Sequence, residues 1–255
     1  MLEVYLYREH LFIITELQGP DLYSVLLGSV QAGPAFCMKD KLRALGRQML
    51  QALIDLDKQG VTHCDLKPSN ICLTPDLQAF RLIDFGCAVL HLDEKPSYAQ
   101  PRWYRAPEIA LGVPWDGKVD VWALGCVLAE VVLGKPLFKH GANATEVLLA
   151  SQAAILGPIP EWMIKRTPAV SSLFFTTHSD LYQIDPQGLP KGAYLLEPHQ
   201  GRVKLRDLLA REASAKGYDD VTGIVDFVSL LLTIDPTLRP TAMEAMMHPW
   251  LRARE

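Results

Sequence analysis

HCDLKPSN, the stretch His63–Asn70, decides how this chain is read. It lies between a long amphipathic pattern and a pair of short apolar runs. Asp84-Phe85-Gly86 begins fourteen residues after Asn70, and Ala106-Pro107-Glu108 ends twenty-four residues after Asp84. An isolated Asp-Phe-Gly reads as a turn with an Asp cap and a glycine at positive φ, and Ala-Pro-Glu alone is weaker still. Asp65 or Asn70 alone would likewise be a turn cap. Their joint order and spacing carry the reading.

The composition bounds what surrounds them. The 255 residues are 49% hydrophobic and 21% charged, enough for a folded chain with a sizeable core. A net charge of −4 with no basic stripe does not imply a nucleic-acid partner. The five cysteines are scattered without zinc-ligand spacing, so free thiols in a reducing, intracellular compartment are expected. MLEVYLYREH has no charged head before an apolar block, so it does not read as a signal peptide. The apolar stretches near 121–134 and 224–234 are interrupted by Glu130 and Asp226, too short for a membrane span.

In chain order, residues 3–7 and 11–16 read as a hairpin turning at Arg8-Glu9-His10. Residues 21–27 form a short helix, and 28–38 a loop. Leu42, Leu45, Met49, Leu53 and Leu56 recur at spacings of three and four, predicting a helix over 39–59 stopped by Gly60. Pro68 is expected to keep the following loop from becoming helix. Trp115–Gly134 is apolar nearly all round and reads as a buried helix. Residues 136–157 continue helical, 158–220 show no steady period, and 221–234 and 241–247 are the last helices.

Three motifs at these spacings resemble the catalytic loop (63–70), magnesium loop and activation-segment end (84–108) of a eukaryotic protein kinase. His63, Asp65, Leu66, Lys67 and Asn70 carry the first match. The resemblance implies an α+β, protein-kinase-like fold. It would consist of a mainly helical large lobe over 19–255 and a two-stranded stub of the small lobe with the hinge over 1–18. Phosphoryl transfer needs positioning and charge neutralisation more than covalent chemistry. The resemblance assigns proton acceptance to Asp65, the transferring phosphate to Lys67, and magnesium to Asn70 and Asp84, hard oxygen ligands that suit it. ATP would meet Glu16, Leu17 and Gln18 at the hinge, Thr15 as gatekeeper, and Cys72 and Ile83 in the cleft. His63, Asp120, Glu108 and Arg239 take structural roles, the last two as a buried ion pair. DLKPxN resembles serine/threonine kinases. Cys64, where an arginine is usual, and the run from Tyr98 to Glu108 resemble the dual-specificity tyrosine-regulated and homeodomain-interacting kinases of the CMGC group. There Tyr98 would be autophosphorylated, with Arg102 and Arg105 as phosphate partners. The 158–220 stretch resembles the CMGC insert, a docking surface for a partner or a plain variable loop.

Two departures leave the function open. Pro101 stands where many serine/threonine kinases carry a hydroxyl that bridges the catalytic Asp and Lys. The Gly-rich loop, the strand lysine and its partner glutamate would all precede residue 1. A truncated, weakly active serine/threonine or dual-specificity kinase and a large-lobe pseudokinase or docking scaffold are therefore both expected readings. An uncovered hairpin would also favour association of the isolated chain.

Overall fold

A computed structural model of the chain describes residues 2–28, 37–138, 145–168 and 204–252. Most of the expected 28–38 loop, and 169–203 of the expected insert, lie outside the described residues.

Strands β1 (Glu3–Tyr7) and β2 (His10–Ile14) pair antiparallel with Tyr7 opposite His10. This leaves Arg8 and Glu9 as a two-residue turn, both at positive φ (47° and 65°). Such turns match the right-handed twist of the strands. His10 is therefore the first residue of β2 rather than part of the turn, and Thr15 and Glu16 lie beyond the ladder. All ten strand residues are exposed.

Beyond the hairpin, Gly19 N donates to Leu73 O at 2.8 Å and Leu73 N donates to Pro20 O at 2.9 Å. A Cβ on Gly19 would lie 2.9 Å from the Thr74 carbonyl oxygen, so only glycine lets the two backbones approach this closely. Asp21 then caps α1 (Leu22–Leu26) by accepting from Ser24 N at 2.9 Å.

Helix α2 (Met38–Lys58) buries Leu42, Leu45, Met49, Leu50, Leu53 and Ile54, with Leu56 packed at the margin. After it come β3 (Val61–Thr62), β4 (Ile71–Leu73), β5 (Phe80–Leu82) and β6 (Val89–Leu90). β3 pairs with β6 and β4 with β5. These two ladders hold the 63–70 loop at one end and Asp84 at the other. Pro68 opens a single 3-10 turn, Pro68–Asn70. The sequence predicts no helical turn here, but a proline is tolerated at the first position because its missing N–H would have no partner there.

Among the described residues the remaining helices are α3 (Pro107–Leu111), α4 (Lys118–Leu133), α5 (Thr145–Leu156), α6 (Glu161–Arg166), α7 (Leu205–Ala215), α8 (Val221–Leu231), α9 (Ala242–Met246) and α10 (Pro249–Arg252). α4 starts three residues later than its apolar run, with Gly117 at the N-cap and Lys118 N donating to the Asp116 carboxylate at 2.9 Å. Every residue from Val119 to Leu133 is buried. Residues 136–138 are not helical, and the next described helix begins at Thr145. The 158–220 stretch includes α6 and α7. In α7 the four-residue spacing of buried Leu205, Leu209 and Ala213 is a helical period that the surrounding prolines and glycines conceal.

α4 and α8 approach each other at Gly125. A Cβ there would lie 2.9 Å from Leu232 Cγ and Cδ2 and 3.0 Å from Leu231 Cβ. Replacing Gly125 by valine gains only a few tenths of a kcal/mol in helix propensity, which does not offset the overpacking at a cost of about 1–3 kcal/mol. Gly125→Val should lower the urea midpoint with an unchanged m-value. An unaltered midpoint would show that the two helices separate freely.

Candidate active site

The 63–70 loop is pinned from below by a buried acid. Asp120, in the first turn of α4, accepts from His63 N at 2.6 Å and from Cys64 N at 3.0 Å. Cys64 takes φ 62°, which turns both amides toward the same carboxylate. Burial pushes the Asp120 carboxyl up, while the His63 ring and the two amide bonds pull the other way. Burial foremost, aided by the Asp120 charge, pushes the Cys64 thiol up to about 12, so it is an unreactive packing group. His63 Nδ1 accepts from Asp65 N at 3.2 Å, which makes Nε2 the protonated nitrogen that donates to Ile83 O at 3.1 Å. One ring thus couples the 63–70 loop to the segment entering Asp84.

Above this anchor the loop gathers an acid, a cation and an amide. Lys67 Nζ donates to both Asp65 oxygens, at 2.9 and 3.1 Å. Asn70 Nδ2 donates to Asp65 O at 2.9 Å and to Oδ2 at 2.7 Å. The Asn70 amide nitrogen is therefore committed to Asp65, which leaves its carbonyl oxygen to face a cation. Asp84 is exposed, at φ 63°, with one oxygen accepting from Gly86 N at 3.1 Å. An amide oxygen and a solvent-facing carboxylate form a donor set that suits magnesium. Ile83 N donates to Asn70 O at 2.9 Å, tying these two segments together. Phe85 lies edge-on to His63 at 5.1 Å and stays half exposed. Cys72 is buried, and its backbone pairs antiparallel with that of Asp21. Glu16 and Leu17 are exposed, and Gln18 Nε2 donates to Glu16 O at 3.2 Å.

The segment leading to Glu108 is held by Gln100, which sequence reasoning missed, and by Arg105 in a backbone-binding role that the sequence does not reveal. Gln100, buried at φ 63°, donates from Nε2 to Val119 O and accepts from Ala106 N, both at 2.8 Å. Arg105 is buried too, donating to Ala99 O at 2.9 Å and to Gln100 O at 2.7 Å. Its guanidinium sits 3.9 Å from the centroid of the exposed Tyr98 ring. Hydrogen bonding from Arg105, then Arg102, holds the Tyr98 phenol below its usual value. Tyr104 donates to Glu130 Oε2 at 2.6 Å, and burial and that anion push its own phenol far up. In the sequence Glu130 stands out only as a charge that interrupts an apolar stretch, whereas nothing local distinguishes Gln100.

Comparison with known proteins decides the family. The protein kinase domain model matches residues 1–251. The chain belongs to the protein kinase family. It is 31% identical, over 98% of its length, to dual specificity tyrosine-phosphorylation-regulated kinase 3 of Rattus norvegicus. It is 33% identical, over 98%, to the human dual specificity tyrosine-phosphorylation-regulated kinase 4. Serine/threonine-protein kinase ppk5 of Schizosaccharomyces pombe is 35% identical over 96% of the chain. The chain spans 42%, 45% and 27% of these three proteins respectively. The kinase fold is α+β, and no helix among the described residues is long and apolar enough to cross a membrane.

In this kinase domain the end of the segment is locked by Glu108 and Arg239. Arg239 Nη1 and Nη2 donate to the two Glu108 oxygens at 2.6 and 2.9 Å, with both side chains fully buried. Arg239 also donates to Thr233 O, Lys118 O and Ile234 O. Removing one member leaves an uncompensated charge, at a cost of about 3–5 kcal/mol. Arg239→Met should therefore destabilise strongly in a denaturant melt, and Glu108→Leu combined with it should recover part of the loss. A double variant no better than the single would show that the carbonyl contacts of Arg239 outweigh the pair.

Proposed function

We propose that the chain is the large-lobe part of a serine/threonine protein kinase, with dual specificity within reach, that transfers the γ-phosphate of ATP to a protein hydroxyl. The observation that carries this reading is the convergence of Asp65, Lys67 and Asn70 in one loop tied to Asp84. In this reading Asp65 orients the substrate hydroxyl and accepts its proton. Lys67 leaves Asp65 to meet the transferring phosphate, and the peptide carbonyl and carboxylate contacts keep the loop in place while it does so. Asn70 and Asp84 would hold magnesium, which supplies charge neutralisation at the phosphates. Adenine would rest against Glu16, Leu17 and Gln18, with Cys72 and Ile83 lining the cleft. Residues 1–18 would be small-lobe strands and hinge, and 19–255 the large lobe. Tyr98 is a candidate autophosphorylation site, and the guanidinium groups of Arg102 and Arg105 beside it suit a phosphate. The 158–220 insert is a candidate surface for a docking partner, and the scattered free cysteines suit a reducing compartment.

The scaffold or pseudokinase reading is favoured by one observation, the absence of a side-chain hydroxyl at Pro101. A thermal melt with and without magnesium–ATP separates the two. Ligand at a hundred times its dissociation constant stabilises by about 2.7 kcal/mol. A magnesium-dependent rise in Tm that Asp84→Asn abolishes, with only weak phosphotransfer that Asp65→Asn removes, is the expected result. A flat melt would favour the scaffold.

A further inference from the structure

At the start of α4 lies a cavity of about 380 Å³, with apolar walls from Leu53, Ile54, Val61, Trp115, Ala242 and Met243. None of Asp65, Lys67, Asn70 and Asp84 lines it. We propose that this cavity binds a neutral, largely apolar small molecule carrying one hydroxyl, a phenol or another alcohol. The proposal does not rest on the phosphotransfer reading. Small-molecule sites are of this kind, concave and mostly apolar with a few placed polar groups.

A polar niche in the wall calls for the hydroxyl. Thr62, in β3, is 1% exposed, and its Oγ1 has no hydrogen-bond partner among the described residues. His91 Nε2 likewise has none, and it stands 3.9 Å from Asp57 Oδ1, too far for a direct hydrogen bond. These three atoms surround one point. A Cβ built on Gly117 would lie 3.7 Å from Thr62 Oγ1, 3.8 Å from Asp57 Oδ1 and 4.0 Å from His91 Nε2. Polar atoms held apart at such distances are bridged by a third group. A carboxylate only accepts, whereas a hydroxyl and an imidazole can each donate. A ligand hydroxyl meets all three, donating to Asp57 and accepting from Thr62 and His91. A ketone or ether leaves Asp57 unmet, and an ammonium accepts from neither neighbour. The His91 side chain is 32% exposed, so a small outward turn of its ring admits the oxygen.

Charge excludes the ionic alternatives. Three lysines and three aspartates line the cavity, so their charges cancel. Most are already engaged. Lys58 holds Asp55 at 3.2 Å, Lys95 lies 4.8 Å from the centroid of the Trp115 ring, and Lys118 donates to Pro236 O. Asp120 accepts from the His63 and Cys64 N–H groups. An anion entering here meets Asp57 and Asp116, and a cation meets the lysines, so the neutral molecule faces the least opposition.

Calorimetric titration of the 255-residue chain with a naphthol, the matching naphthoate and the matching naphthylmethylammonium at neutral pH tests this. The naphthol should bind about tenfold more tightly than either ion. Gly117 has φ −58°, which alanine adopts freely, and the added methyl would meet the three polar atoms at ordinary contact distance. Gly117→Ala should therefore keep the fold, fill the niche and weaken naphthol binding about tenfold. Thr62→Val should weaken it about threefold. The unliganded Thr62→Val chain should melt no lower than wild type, because the substitution removes a buried hydroxyl that has no partner. Equal affinities, a preference for either ion, no naphthol binding, or naphthol binding untouched by both variants overturns the proposal. The wild-type ranking decides even where a variant fails to fold.

Discussion

The two hydrogen bonds that the Asp120 carboxylate accepts from the backbone N–H groups of His63 and Cys64 are the constraint on which the rest depends. The 63–70 loop has no long ladder of its own, only two pairs of short strands at its margins. Burying a carboxylate without partners is costly, so the acid is tolerated only where the loop presents its amides to it. That requirement fixes Cys64 in a left-handed conformation and aims His63 at Ile83, and through His63 it places Asp84 beside Asn70. The loop is held by a helix, and the helix is held by the core.

The same device recurs around the segment that ends at Glu108. Gln100 reaches the backbone of α4, Tyr104 reaches Glu130 in the middle of α4, and Arg239 reaches from beyond α8 to Glu108 and to Lys118 O. Buried polar groups of this kind contribute little net stability compared with apolar packing of the same volume. What they contribute is position, since each is costly to break and so excludes alternative placements of the loop. Exposed pairs such as Lys58–Asp55 and Lys165–Glu161 have no comparable effect, because solvent screens them. The kinase domain thus places directional bonds where α4 meets the catalytic loop and the Glu108 segment, and leaves its contact with α8 at Gly125 to close packing.

Legibility from sequence tracks how local the determining physics is. The stripe of α2 was readable because Leu42, Leu45, Met49 and Leu53 repeat with the helix period, and α4 because almost nothing in it is polar. The hairpin was readable from its β-rich runs, but its turn was misplaced by a residue, since strand register depends on which carbonyls pair across the gap. α7 was missed because its period of Leu205, Leu209 and Ala213 is short and embedded in composition typical of loops. Gln100 was missed because its role exists only once Val119 O and Ala106 N stand on either side of it.

The sequence by itself determined the family, through the order and spacing of His63–Asn70, Asp84–Gly86 and Ala106–Glu108, and the helices whose apolar periods are strong. These are properties of contiguous residues, set by backbone geometry and side-chain type. It takes the tertiary structure to show that Lys67 closes on Asp65, that Arg105 is spent largely on the Ala99 and Gln100 carbonyls, and that Pro101 and Lys67 line one cavity. Those are contacts between segments brought together by the core, and no window of sequence contains the distance between them.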